Sequence, residues 1–244
     1  MKRVHSLDSF RGFTIVSMVL YHLFYDLVYI FNCDISFYTI ENVRPWQISI
    51  AVSFFTISGI SATLSERGKL LKRGLILTLL GILITLVTSV AIPDERIVFG
   101  VLSGLGASMI ILYFSAKALG GFDERFLAPI FLVLFLIFYS ISSGVVNLFF
   151  AEIPVSETLY EHNLFFLGFP SREFTSSDYF PLIPWVFIYH FGYFLGLYLK
   201  KNDFFGIYGR ENILSKIGRH SLVIYLLHQV VIYMILYLFF TWWR

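Results

Sequence analysis

The chain has 244 residues, of which 57% are hydrophobic and only 14% charged; a soluble globular domain averages about 25% charged residues, so this composition argues against a water-facing fold. The formal net charge of +2 is too small to argue for nucleic acid, and the single cysteine, Cys33, excludes an internal disulfide framework and a cysteine-rich metal site. Mean hydropathy is +0.77 and apolar runs near bilayer length recur along the chain, so the default solvent is lipid.

A bilayer-length window predicts seven transmembrane helices, at roughly 10–31, 44–65, 70–92, 97–118, 126–150, 179–200 and 220–241. The expected fold is an all-α polytopic bundle forming a single domain over 1–244. The first apolar run is expected to stay in the protein as a span. It is close to bilayer length, and Asn32, Cys33 and Asp34 follow it where a signal peptide would carry small residues and a cleavage site. The fourth run is the weakest, because Gly100, Gly104 and Gly106 dilute it; those glycines suit a close approach by another helix or a ligand, or a break.

Loop charges set the orientation. With the N-terminus inside, Lys2, Arg3, Arg11, Arg67, Lys69, Lys72, Arg73, Lys117, Arg125, Lys200, Lys201, Arg210, Lys216 and Arg219 fall on the cytoplasmic side. Arg44, Arg96, Arg172 and Arg244 fall outside. That bias predicts N-terminus in and C-terminus out, and the alternation supports the count of seven. The outside segment 151–178 is long and acidic, with Glu152, Glu157, Glu161, Glu173 and Asp178 against Arg172. It reads either as a lid or acceptor-binding loop, or as a loop that is merely packed or disordered.

Two residues of the first span do not belong in hydrocarbon. Asp26 is the only acidic residue well inside a predicted span, and His22 precedes it by one helical turn, so both project from one face. A carboxylate beside an imidazole fixes its tautomer and stabilises the imidazolium, which is how a general base is built. The alternative is a polar pair that holds helices together. At the inner end of this span, Asp8 or Ser9 is expected to cap the helix and Gly12 to allow close packing; Arg11 is a candidate anion ligand or, by itself, an ordinary positive-inside anchor.

Other candidates are placed by their spans. His190 in the sixth and His228 in the seventh could line a shared cavity, though each also suits a packed, hydrogen-bonded role. His162, beside Asn163 in the outside loop, is a candidate acceptor contact. Arg67, Lys69, Lys72 and Arg73 join the second and third spans, as a headgroup anchor or a holder of donor phosphates. Gly218, Arg219, His220 and Ser221 open the seventh span as a second anion-friendly helix start. No metal-ligand spacing, phosphate-binding glycine loop or serine elbow is present in the sequence.

Three separated stretches then carry a resemblance. Ser6-Leu7-Asp8-Ser9-Phe10-Arg11-Gly12 with the later His22, then Ser177 to Trp185 with Phe191 to Gly196, and then Ile217 to Leu222 with Tyr225 to Gln229, are in order and cover most of the chain. Together they resemble the transmembrane acyltransferases, and more closely the bacterial relatives of heparan-α-glucosaminide N-acetyltransferase. The resemblance implies an enzyme of a bacterial inner membrane that takes an acetyl group from cytoplasmic acetyl-CoA. It passes the group to an amine or hydroxyl of a sugar-like acceptor on the outer side, and a homodimer is plausible by analogy. In the lysosomal relative the position matching His22 is an asparagine and the catalytic histidine comes later, whereas here the stretch up to Asn32 and Cys33 holds no further histidine.

The expected mechanism has His22 as base oriented by Asp26, donor phosphates near Arg11, Lys72, Arg73 and Arg219, and oxyanion donors drawn from Tyr225, His228 and Gln229. No metal is called for. A proton-coupled transporter using His22 and Asp26 as a relay, and a non-enzymatic membrane scaffold, are the alternatives; no inverted repeat favours the first.

Overall fold

The computed structural model describes residues 3–148, 150–206 and 209–242; Lys2 and Arg244, used in the charge argument, lie outside them. Seven long helices fall where the apolar runs predict them: α1 (His5–Tyr25), α2 (Ile40–Ala62), α3 (Arg67–Ala91), α4 (Val101–Leu119), α5 (Glu124–Phe138), α7 (Leu182–Lys201) and α9 (Ser221–Trp242). Between them lie the hairpin strands β1 (Val145–Leu148) and β2 (Ala151–Pro154) and the short helices α6 (Thr158–Glu161) and α8 (Ile213–Arg219). The protein is thus an all-α, polytopic membrane bundle.

Six of the seven long helices are both long and apolar enough to cross a bilayer. The one outside that set is α2, whose length suffices but whose hydropathy is diluted by Gln47, Ser49, Ser53, Thr56, Ser58 and Ser61.

The residues form two compact units, Met1–Ile57 with Asp203–Arg244, and Ser58–Asn202. In the first unit, α1 packs against α8 and α9. The α1–α8 contact is made by two glycines that bring backbones together. A Cβ on Gly12 would lie 1.9 Å from the Leu214 carbonyl oxygen, and one on Gly218 would lie 1.9 Å from that of Asp8. Buried Ile15, Met18 and Ile50 form the core of this unit, with Trp46, Ile217, Ile224 and Tyr225 packed on it. Trp46 donates its indole N–H to Ser17 Oγ (2.8 Å), so its one polar atom is satisfied.

α1 starts earlier than the expected cap: the residue before it is Val4, and no side chain caps it. Asp8 therefore sits inside the first turns, where it accepts from Arg3 Nε at 2.8 Å and Arg11 Nη1 at 2.9 Å. Ser9 donates to the His5 carbonyl and to Asn212. The capping instead occurs on α8, where Asn212 and Ser215 form a reciprocal capping box.

In the second unit, α3 and α4 pack through small residues. A Cβ on Gly81 would meet Ser103 Oγ at 2.2 Å, and one on Gly106 would meet Thr78 Oγ1 at 2.5 Å. The α4 glycine therefore admits another helix, one of the uses its sequence suggested. α5 and α7 pack through Leu127, Ala128 and Phe194, with Phe131 stacked on Phe194.

The fifth span is shorter than predicted. The helix stops at Phe138, a 3₁₀ turn covers Ile141–Ser143, and Gly144 takes φ +84° before β1 pairs antiparallel with β2. The run Val145-Val146-Asn147-Leu148 is apolar enough to extend a helix on hydropathy alone, but β-branched residues after a left-handed glycine favour a strand.

The loop that follows is folded. Ser176 Oγ hydrogen bonds at both ends of Val98, Ser177 N donates to the Arg96 carbonyl, and Asp178 Oδ2 accepts from the backbone N–H of Val101 at the start of α4.

Candidate active site

The first unit collects four of the polar residues the sequence singled out, on two helices. α1 does not end in an ordinary cap: at Asp26 it passes into a π-helical turn, Asp26–Ile30, closed by Phe31 N–H to the Asp26 carbonyl at 2.9 Å. Such turns insert one extra residue and re-aim side chains, often at functional sites. Asp26 heads the turn and is fully buried, 0% exposed. A buried carboxylate needs internal donors. Its Oδ1 accepts from Gln229 Nε2 of α9 at 2.7 Å, and its Oδ2 is buried with no hydrogen-bond partner.

This corrects one expectation. Asp26 is hydrogen bonded to Gln229 and not to His22, although the two share a helix face. The carboxylate bonds across to α9, the helix that also carries His228.

His228, the neighbour of Gln229, brings its ring to 4.7 Å from that of His22, tilted by 60°. His228 Nδ1 lies 2.6 Å from the Tyr225 carbonyl oxygen, which can only accept, so Nδ1 carries the hydrogen and donates it. Nε2 of the neutral ring then holds a lone pair; it is buried without a hydrogen-bond partner, as is Gln229 Oε1. His22 is held from its other neighbour by an edge contact with Tyr21 at 5.5 Å. Tyr21 packs in turn on Trp46, and its carbonyl accepts from the Tyr38 hydroxyl.

The expected oxyanion donors are revised accordingly. His228 presents a lone pair and in this tautomer does not donate; Gln229 has one of its two amide hydrogens on Asp26, which leaves the other for an oxyanion beside the unpartnered Oε1. Tyr225, with its ring 5.7 Å from that of His228, is the remaining hydroxyl of the three.

The basic candidates divide between the units. In the first, Arg11 and Arg219 flank the close contact of Gly218 with the Asp8–Gly12 backbone. Arg219 is paired with Glu211, whose carboxyl it holds below the usual carboxylate range, and Arg219 Nε is buried without a partner. Arg219 ends α8, however, and His220 follows as its C-cap, so Gly218-Arg219 does not open the last span as expected; α9 begins at Ser221. Arg11 precedes His22 by eleven residues of continuous helix, about 16 Å at 1.5 Å per residue.

In the second unit, Arg73 Nη1 donates to Ser65 Oγ and Lys72 is exposed. Arg67 donates to the Tyr113 carbonyl and lies over that ring, and Lys69 pairs with Glu66, so three of the four residues of this basic cluster make local bonds. His162 is exposed just after α6, and Asn163 takes φ +47° with its Oδ1 accepting from Ser171 N–H. His190 is buried, between Ser115 Oγ at 2.9 Å and the Val186 carbonyl at 2.8 Å, and packs on Phe131. Both its nitrogens are occupied, which is the packed role. Among the described residues no group of three or more His, Cys, Asp or Glu side chains is gathered as a metal site requires.

Tyr21, Tyr38 and Trp46 form an aromatic shell behind His22 that has no signature in the sequence. Tyr21 adjoins His22 in sequence, but nothing in the linear order marks Trp46 or Tyr38 as its neighbours.

The motifs in α1, in the 177–196 stretch and in α8–α9 are those of one family. The sequence model of that family, described as heparan-alpha-glucosaminide N-acetyltransferase, catalytic, matches residues 3–230. The chain belongs to this family. Comparison with curated proteins and with solved structures returns no match. Membership makes the protein a membrane enzyme of the N-acetyltransferase type, and the matched region contains every residue of the α1–α9 cluster.

Proposed function

We propose that the protein transfers an acetyl group from cytoplasmic acetyl-CoA to an amine or hydroxyl of a sugar-like acceptor on the outer side of the membrane, with the chemistry at His22, Asp26, His228 and Gln229. The observation that carries this is the cluster itself. A carboxylate, an amide and two imidazoles meet between α1 and α9, and three of their buried polar atoms have no hydrogen-bond partner. Helix glue leaves no such atoms, because an unsatisfied polar group in hydrocarbon costs several kcal/mol. A site that receives a polar substrate leaves them.

The donor fits the first unit at its N-terminal end. Arg11 and Arg219 are the residues that would hold its phosphates, and the buried, unpartnered Nε of Arg219 is an N–H donor of the kind a phosphate oxygen accepts from. When bound, acetyl-CoA supplies the activated thioester. His22 takes the proton of the attacking acceptor. Asp26 fixes Gln229, and with it the α9 turn that sets His228 against His22. Tyr225 offers a hydroxyl to developing negative charge.

The topology that serves this reaction has the N-terminus inside, α2 crossing as a seventh span and the C-terminus outside. This puts the Arg11 end on the cytoplasmic side and His22 towards the outer half of α1. In a bacterial cell the matching compartment is the inner membrane.

The test is transfer of radiolabelled acetyl from acetyl-CoA to a panel of amino and hydroxyl sugars by purified, reconstituted protein. His22→Ala is expected to lower kcat by about 10²–10⁴, the usual contribution of a positioned base. Unchanged turnover in that variant removes His22 from the reaction.

A further inference from the structure

We propose that His228 is a second proton acceptor of the site, working beside His22 on acceptors that arrive as ammonium ions; the inference rests on the acetyl-transfer reading above. The geometry gives His228 what a base requires. Its Nδ1–H is committed to the Tyr225 carbonyl at 2.6 Å, which locks the tautomer in the way a carboxylate does in hydrolase triads. The lone pair is therefore on Nε2, which is buried and has no hydrogen-bond partner. The ring is 4.7 Å from that of His22, and the adjacent residue, Gln229, is tied to buried Asp26 at 2.7 Å, so α9 is held in register with the end of α1.

The chemistry of an amine acceptor explains why two imidazoles stand together. A sugar amine reaches neutral water as R–NH₃⁺, which has no lone pair with which to attack. One proton must leave before attack, and a second must leave as the N–C bond forms. His228 Nε2 takes the first and generates R–NH₂. The amine lone pair then forms the bond to the acetyl carbon, His22 takes the second proton, and the C–S bond breaks with its electron pair left on sulfur. His22 returns its proton to that thiolate, giving the free thiol. His228 later gives its proton to water, so one proton is released per turnover. A hydroxyl acceptor loses only one proton and needs only His22.

The experiment has two arms. In the first, reconstituted wild-type protein, His228→Gln and His22→Gln transfer acetyl from acetyl-CoA to glucosamine across a range of pH. The expected result is that His228→Gln loses about 10²-fold in kcat/KM below the ammonium pKa of glucosamine and recovers most of it above, where the free amine is supplied by solvent. His22→Gln is expected to lose activity at every pH. A His228→Gln loss that is the same at every pH, or no loss, overturns the proposal.

The second arm needs no turnover. ¹⁵N NMR of histidine-labelled wild-type protein, with the His228 signal assigned by its disappearance in His228→Gln, is expected to show hydrogen on Nδ1 and none on Nε2. Adding glucosamine alone is expected to shift the Nε2 signal, as its lone pair accepts a hydrogen bond from the ammonium. A signal with hydrogen already on Nε2, or one that ignores glucosamine, overturns the proposal. Wild-type protein whose Nε2 signal shifts on adding glucosamine yet which transfers no acetyl group defeats the enzymatic reading while leaving His228 an acceptor for the ammonium.

Discussion

A carboxylate in an apolar bundle has no water to turn to, and Asp26 shows where its hydrogen bonding goes. Among the described residues its side-chain partner is Gln229, and the bond at 2.7 Å joins two helices. Hydrogen bonds between helices in a bilayer are worth about 0.6 kcal/mol on average and up to about 1.7 kcal/mol. A double-mutant cycle of Asp26→Ala and Gln229→Ala, read by thermal unfolding in detergent, is expected to show a coupling energy in that range. Additive effects would mean that the two side chains do not meet. The same pair is expected to lower kcat when either member is removed, with KM for the acceptor less affected, because what is lost is the placement of His228 against His22. At this scale the sequence showed that His22 and Asp26 are costly and share a face. It did not show that Asp26 would bond away from His22, because the partner lies on a helix at the other end of the chain.

Helix ends and helix contacts follow from small residues more than from hydropathy. The close approach of α1 and α8 leaves no room for side chains at Gly12 or Gly218, where a Cβ would sit 1.9 Å from a carbonyl oxygen. Overpacking costs typically about 1–3 kcal/mol and more where backbone is what must move. Gly218→Ala is therefore expected to lower the thermal midpoint of the protein clearly, whereas Gly68→Ala, with no atom within 4 Å of the new methyl, is expected to leave it unchanged. Equal midpoints for the two variants would refute the close contact. Gly12 was legible as a packing glycine from its place at a helix start; its partner was not, since α8 is too short to carry a hydrophobic period. The premature end of α5 has a similar cause. Hydropathy counts Val145, Val146 and Leu148 as membrane residues, while the left-handed Gly144 and the pairing with β2 make them a strand.

For the whole molecule the question is whether it binds a donor or merely holds helices together. Anything that binds the folded state alone stabilises it by mass action, about 2.7 kcal/mol at a ligand concentration one hundred times Kd. Acetyl-CoA is expected to raise the unfolding temperature of the purified protein, and Arg11→Ala with Arg219→Ala to abolish the shift. No shift at saturating acetyl-CoA would favour a scaffold. Proton-driven uptake of an amino sugar by proteoliposomes, with no acetylated product, would favour a transporter. The charge bias of the loops makes a companion prediction: a cysteine placed at Phe122 is expected to be protected from an impermeant thiol reagent applied from outside, and one placed at Ile153 to be labelled.

Composition and hydropathy are enough to read the solvent, the class and the helices. An excess of apolar residues in bilayer-length runs leaves helices as the simplest way to satisfy every backbone group, so seven of them could be placed from hydropathy to within a few residues, apart from the early end of α5. The sequence also marked His22, Asp26, His228 and Gln229, because polar side chains are conspicuous in apolar runs. How those residues combine is visible only in the folded chain. Which imidazole faces which, which nitrogen keeps its lone pair and which amide satisfies a buried acid depend on contacts between α1 and α9. Those two helices stand at opposite ends of the chain, and no local period or spacing connects them.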